Sequence, residues 1–142
     1  MRRVAYTNKD AEVLARLMRA ESLSDGAIGM LLVGGVRSNR MVASCDTFRN
    51  ITTVQKMVFQ KPGGFASTNS TIFNSRPNSK DLRLAKLVLN GQRFKPAIKS
   101  LYFYAPKATE RCRDEWFGAK FVGRHKSHCY YSPSPKDCPS IY

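Results

Sequence analysis

The chain has 142 residues, 42% of them hydrophobic, with 24 Lys and Arg against 10 Asp and Glu and a formal net charge of +14. That length fits one domain spanning 1–142 with a core of its own. No apolar run nears the roughly 20 residues a membrane span needs, and the first ten residues lack the apolar stretch of a secretory signal peptide.

The charge favours encounter with polyanions: nucleic acid, anionic wall polymer or an acidic membrane surface. The basic residues are dispersed, which suits long-range steering more than a basic arm that folds on binding. Synthesis in the cytoplasm is expected, so an extracellular target would be reached through lysis or release.

Thr7 followed three residues later by Asp10 is a capping-box-like helix start. The helix it opens should run to about Glu21. Leu14, Leu17, Met18 and Glu21 then share one face. A carboxylate on an apolar stripe is costly unless it is paired, protonated or useful. Desolvation favours the neutral acid, which is the form a proton donor needs. The plainer alternative is a helix-end Glu that escapes to solvent or pairs with an Arg such as Arg16 or Arg40.

Residues 22–26 have turn chemistry: two serines, an Asp and a Gly. A second helix is expected over 27–41, with Ile28, Leu31, Leu32, Gly35, Val36 and Asn39 inward. Gly34 and Gly35 weaken it by roughly 1 kcal/mol each against Ala, a cost that close approach of the first helix would offset. A short third helix should cover 52–60, stopped by Lys61, Pro62 and the two glycines. Residues 65–74, rich in Ser, Thr and Asn, read as an irregular lobe. A fourth helix should span 79–90, with Leu82, Ala85, Val88 and Leu89 inward and Gly91 as its stop. Residues 101–104 and 121–131 read as extended from their aromatic content and partial alternation. The tail after Pro133 reads as loop. Helices first and strands later, without βαβ alternation, predict a mainly helical α+β fold with a small β element.

The cysteines are Cys45, Cys112, Cys129 and Cys138. A local disulfide among the last three is geometrically plausible, four free thiols are equally acceptable, and the connectivity stays open. With His125 and His128 these residues supply zinc-ligand types. They match no common zinc spacing, so no metal and no cofactor are expected.

Six stretches carry a resemblance: Leu14-ARLMRAES, Gly29-MLLVGGVRSNR, Val58-FQKPGGF, Leu87-VLNGQRF, Ser100-LYFYAP and Val122-GRHKSHCYY. In order and over nearly the whole chain, they resemble the SleB/CwlJ-type cell wall hydrolases, with more similarity to the CwlJ spore-cortex branch. The cysteine positions also look like those of that branch. The resemblance implies a lysozyme-like α+β fold related to lytic transglycosylases and goose-type lysozymes. It implies peptidoglycan as substrate and Glu21 as the catalytic acid. Where the family has Ala-Glu-Gly-Glu after this Glu, the chain has Ser22, Leu23, Ser24 and Asp25. Asp25 would stand for the second family acid. His128 matches the family's late His, before an aromatic pair.

Most glycoside hydrolases use two carboxylates. A lytic transglycosylase can manage with one, because the muramoyl 6-hydroxyl attacks its own anomeric carbon. One essential acid is therefore expected, Glu21, with Asp25 as orienter or water-binder. Asn39 is a candidate partner of Glu21 or of an N-acetyl group; its alternative is a buried Asn serving the backbone. Phe65, Ser67, Tyr102 and Tyr104 are candidate sugar contacts, the tyrosines alternatively being core aromatics. His128 would position Glu21 or bind substrate.

The expected function is thus cleavage of glycan strands by a peptidoglycan hydrolase, in spore-cortex germination or phage-type lysis. The expected partners are peptidoglycan and anionic wall polymers, with no specific nucleic acid and no membrane span. The alternatives are a non-catalytic wall or coat binder on the same fold, an amidase acting on the peptide stem, or a nucleic-acid binder. The last lacks any helix-turn-helix, finger or RNA-binding signature.

Overall fold

A computed structural model describes residues 3–45, 47–59 and 71–142. Helix α1 is Asn8–Ser22. A short 3-10 turn at Leu23–Asp25 joins it to α2, Gly26–Val42. Helix α3 is Val54–Val58 and α4 is Ser79–Leu89. Strands β1 (Tyr102–Tyr104), β2 (Glu115–Trp116), β3 (Ala119–His125) and β4 (His128–Ser132) follow. They form one antiparallel sheet in the order β1-β4-β3-β2. The α+β expectation holds. Among the described residues, no helix is long and apolar enough to cross a membrane.

Helix α1 starts where Thr7 and Asp10 predict. The Thr7 backbone N–H donates to the Asp10 carboxylate at 3.0 Å, and the Asp10 N–H donates to Thr7 Oγ1 at 3.1 Å. Two otherwise orphaned donors are thereby satisfied reciprocally. Leu14, Leu17 and Met18 are fully buried, as the stripe requires. At the other helix ends, Asn78 caps α4 through Asp81 N–H at 2.8 Å. Gly91, at φ 99°, ends it in a left-handed residue.

Helix α2 departs from its amphipathic reading. Ile28, placed inward by periodicity, is 58% exposed, while Arg37, Ser38 and Arg40 are buried. The helix is central: α1, α3, α4 and the sheet all pack on it, so from Met30 onward nearly every direction is interior. Periodicity finds an inner face only where one exists. The double glycine makes room for side chains rather than for a neighbouring backbone: Met18 of α1 over Gly34 and Arg93 over Gly35. A Cβ on Gly34 would sit 2.7 Å from Met18 Sδ and Cε of α1. Gly34→Ala should gain about 1 kcal/mol of helix propensity and lose about 1–3 kcal/mol to overpacking against Met18. Chemical denaturation should therefore show a net loss; a more stable variant would disprove the close-packing account.

Two further expectations change. The extended run over 121–131 is a hairpin, not one strand, because Lys126 adopts φ 48° and the chain reverses between His125 and His128. The short β2 was not anticipated. Disulfides join Cys45 to Cys138 and Cys112 to Cys129. The second is the local bridge considered above. The first pins the tail, which contains a 3-10 turn at Pro139–Ile141, to the segment after α2.

Candidate active site

Glu21 closes the last turn of α1, where Ser22 Oγ donates back to the Met18 carbonyl at 2.5 Å. Its partner is neither Arg16 nor Arg40. One nitrogen of Arg37, Nη2, donates to both carboxylate oxygens at 2.8 and 3.1 Å. The pair is largely withdrawn from water, with side-chain exposures of 4% for Arg37 and 10% for Glu21. Burial draws the Arg37 guanidinium below its ordinary range, and the charge and hydrogen bond of Glu21 oppose that shift. Burial and the charge of Arg37 lower Arg40 further still.

The sheet supplies the facing wall. Alternation along a strand sends Phe103 to one side and Tyr102 and Tyr104 to the other. Phe103 pairs with Tyr130, and His128 lies two residues before it on the same face. The Arg37 guanidinium sits 4.6 Å from the Phe103 ring centroid, and the His128 ring meets the same ring edge-on at 5.2 Å. Phe103 thus bridges the Glu21–Arg37 pair and the histidine.

Asp25, at the entrance to α2, reaches across to the β3–β4 turn. Its Oδ2 accepts from His128 Nδ1 at 2.5 Å and its Oδ1 from Ser127 Oγ at 2.7 Å. An ionised carboxylate only accepts, so Nδ1 carries the proton and Nε2 is the ring nitrogen left for other partners. Burial pushes the Asp25 carboxyl up, but the hydrogen bonds from Ser127 and His128 and the charge of His128 bring it below its ordinary range. A carboxylate depressed on folding stabilises above its unfolded value, about 3.9. That contribution is lost as pH falls through the lower folded value. Asp25→Asn should therefore flatten the acid limb of stability against pH below about pH 4, measured by denaturant titration at several pH values. An unchanged slope would show that this tie contributes nothing.

Of the residues expected at the site, the structure brings Glu21, Asp25 and His128 to one junction. Asn39 turns elsewhere: its amide donates to the Ile98 and Ser100 carbonyls at 3.1 and 2.9 Å and accepts from Arg93 at 2.7 Å. Both its N–H donors are used, so it has none left to give the Glu21 carboxylate, and the backbone-serving alternative describes it. Tyr102 and Tyr104 lie on the sheet face away from Glu21. There they stack on Phe117 and Trp116 at 5.2 and 4.6 Å. Phe65 and Ser67 lie outside the described residues. Cys112 and Cys129, considered as zinc-ligand types, are bonded to each other.

Arg37, Phe103, Ser127 and Tyr130 were not anticipated. The signal for Arg37 was present as a lone cation ending the apolar run Met30-LLVGGV.

The family described as Cell Wall Hydrolase matches residues 24–131. The chain is 45% identical over 139 residues to the cell wall hydrolase CwlJ of Oceanobacillus iheyensis, covering 98% of this chain and 97% of that protein. The chain belongs to the cell wall hydrolase family.

This cell wall hydrolase is also 37% identical to CwlJ of Bacillus subtilis, over 98% of its own length and 96% of the relative's. Its fold matches the catalytic domain of Bacillus cereus SleB with a TM-score of 0.69 at 21% identity, covering 90% of this chain and 93% of that one. It matches the catalytic domain of the germination-specific lytic transglycosylase SleB from Bacillus anthracis with a TM-score of 0.68 at 20% identity, over 90% and 98% of the two chains. The expected SleB/CwlJ resemblance is thereby met in sequence and in fold. The family match takes in Asp25, Arg37, Ser127, His128 and Tyr130, and the CwlJ relatives extend the similarity over nearly the full chain.

Proposed function

We propose that this cell wall hydrolase cleaves the glycan strands of peptidoglycan in the spore cortex, with Glu21 as its one essential acid. The observation that carries this reading is the placement of Glu21. It closes α1 against buried Arg37, beside the wall of Phe103, His128 and Tyr130, in a chain 45% identical to a CwlJ protein. Asp25 does not act as a second reacting carboxylate. Both its oxygens are taken, one by Ser127 and one by His128, and it is 2% exposed. Its role is to orient His128, leaving Nε2 for a substrate contact.

The step needs only one carboxyl. Glu21 gives its proton to the glycosidic oxygen as the bond to the anomeric carbon breaks, and the bonding pair leaves with that oxygen. The Glu21 carboxylate then takes the proton of the muramoyl 6-hydroxyl as that oxygen closes on the same carbon. The products are an anhydromuramic end and a free sugar hydroxyl. The +14 charge holds the enzyme near anionic wall polymers.

Mass spectrometry of products from purified cortex peptidoglycan tests the proposal. Anhydromuramic ends are expected. Reducing muramic ends would make water the acceptor, and free peptide stems would make the protein an amidase. Binding without products would make it a wall binder.

A further inference from the structure

Tyr130 is fully buried at the centre of β4. Its ring packs with Leu32, Val36, Ala97 and Phe103. Its hydroxyl is also buried and has no hydrogen-bond partner among the described residues. The other tyrosines nearby are satisfied: Tyr131 donates to the Arg113 carbonyl at 2.7 Å, and Tyr104 accepts from the Arg113 N–H at 2.9 Å. An unmade buried hydrogen bond costs about 1–3 kcal/mol, so packing alone would favour Phe here.

The Tyr130 ring lies 6.3 Å from the ring of His128, which holds Asp25, and 6.1 Å from the ring of Phe103, which meets Arg37. Burial and the charges of Asp25 and then Glu21 all raise the phenol above its ordinary range, keeping it a neutral donor. Four charged or titratable groups surround this junction: Glu21 from α1, Asp25 from the α1–α2 turn, Arg37 from α2 and His128 from β4. Asp25 is already engaged at both oxygens. Its two oxygens have separate donors, whereas both oxygens of Glu21 share a single nitrogen of Arg37, so displacing that one group releases both.

Both Glu21 oxygens face the same Arg37 nitrogen, at 2.8 and 3.1 Å, and a scissile bond needs one of them. Glu21 must therefore change partners to act. We propose that Tyr130 is a positioning residue for Glu21, its hydroxyl donating to one carboxyl oxygen in the glycan-bound state. The other oxygen then presents its O–H to the scissile bond. This inference rests on the reading of Glu21 as the acid.

The test compares wild type, Tyr130→Phe and Glu21→Gln on glycan oligomers of defined length, with products quantified by mass spectrometry and thermal midpoints recorded alongside. Tyr130→Phe removes only the orphaned oxygen, so its midpoint should equal or exceed that of wild type. Its kcat should fall about 10- to 100-fold with KM within about two-fold, because a group that orients the acid acts in the transition state and not in ground-state binding. Wild-type kcat in Tyr130→Phe beside an inactive Glu21→Gln overturns the Tyr130 proposal and leaves the Glu21 reading standing. A raised KM at unchanged kcat, or a lowered midpoint, also overturns it, the first making Tyr130 a substrate contact and the second a structural donor. Activity in Glu21→Gln overturns both readings together.

Discussion

Glu21→Gln should abolish lysis of cortex peptidoglycan while leaving a folded protein. The amide is isosteric and keeps one acceptor for Arg37, so the fold is retained at a cost in stability from the Arg37 charge left without its counterion. What is lost is the proton. General acid catalysis contributes about 10²- to 10⁴-fold. In a mechanism where the same group also takes back a proton, both halves of the step are affected, so the upper end of that range is expected. Turbidity loss of cortex fragments measures it directly. A circular dichroism spectrum matching wild type separates lost chemistry from lost fold. A variant that still lyses its substrate would remove Glu21 from the mechanism.

Arg37→Met should be the most destabilising single change at the site. Methionine fills much of the volume but leaves Glu21, 10% exposed, without its counterion. Breaking one side of a buried pair costs about 3–5 kcal/mol because the remaining charge is stranded. Arg40 also feels the charge of Glu21 and, anchored on the Leu101 carbonyl at 2.8 Å, limits the loss toward the lower figure. For a chain of this size the thermal midpoint should drop on the order of 10 °C. The double variant Arg37→Met with Glu21→Leu should recover most of that loss, because replacing both members of a buried pair by apolar groups is often neutral. If the double variant is as unstable as the single one, the cost lies in the other contacts of Arg37, such as its place over the Phe103 ring.

Both expectations concern a pair of which only one member was legible in the sequence. Glu21 stood out because its apolar neighbours Leu14, Leu17 and Met18 share its helical face, and that geometry is set by spacing alone. Arg37 lies 16 residues away on another helix, and nothing in local periodicity selects it over Arg16 or Arg40. The inner stripe assigned to α2 held at Leu32, Gly35, Val36 and Asn39 but missed at Ile28 and passed over the buried Arg37, for a related reason. Its amphipathic reading assumed one wet face, and the helix proved to be surrounded. On β1 the alternation puts Tyr102 and Tyr104 on one face and Phe103 on the other. Phe103 is the residue turned toward Arg37 and His128.

The sequence by itself determined the features written within one or two helical turns. These are the Thr7–Asp10 capping box, the Gly91 stop of α4, the stripe ending in Glu21, and a family pattern long enough to name the fold and the class of enzyme. Only the tertiary structure decided the Arg37 partner, the Asp25–His128 bond across 103 residues, the Cys45–Cys138 bridge across 93, and the orphaned hydroxyl of Tyr130. The reason is physical. Contacts at spacings of three and four residues follow from helix geometry alone. A contact between distant segments depends on strand register, helix approach and which face of the sheet meets α2, and those are settled by packing the whole chain at once.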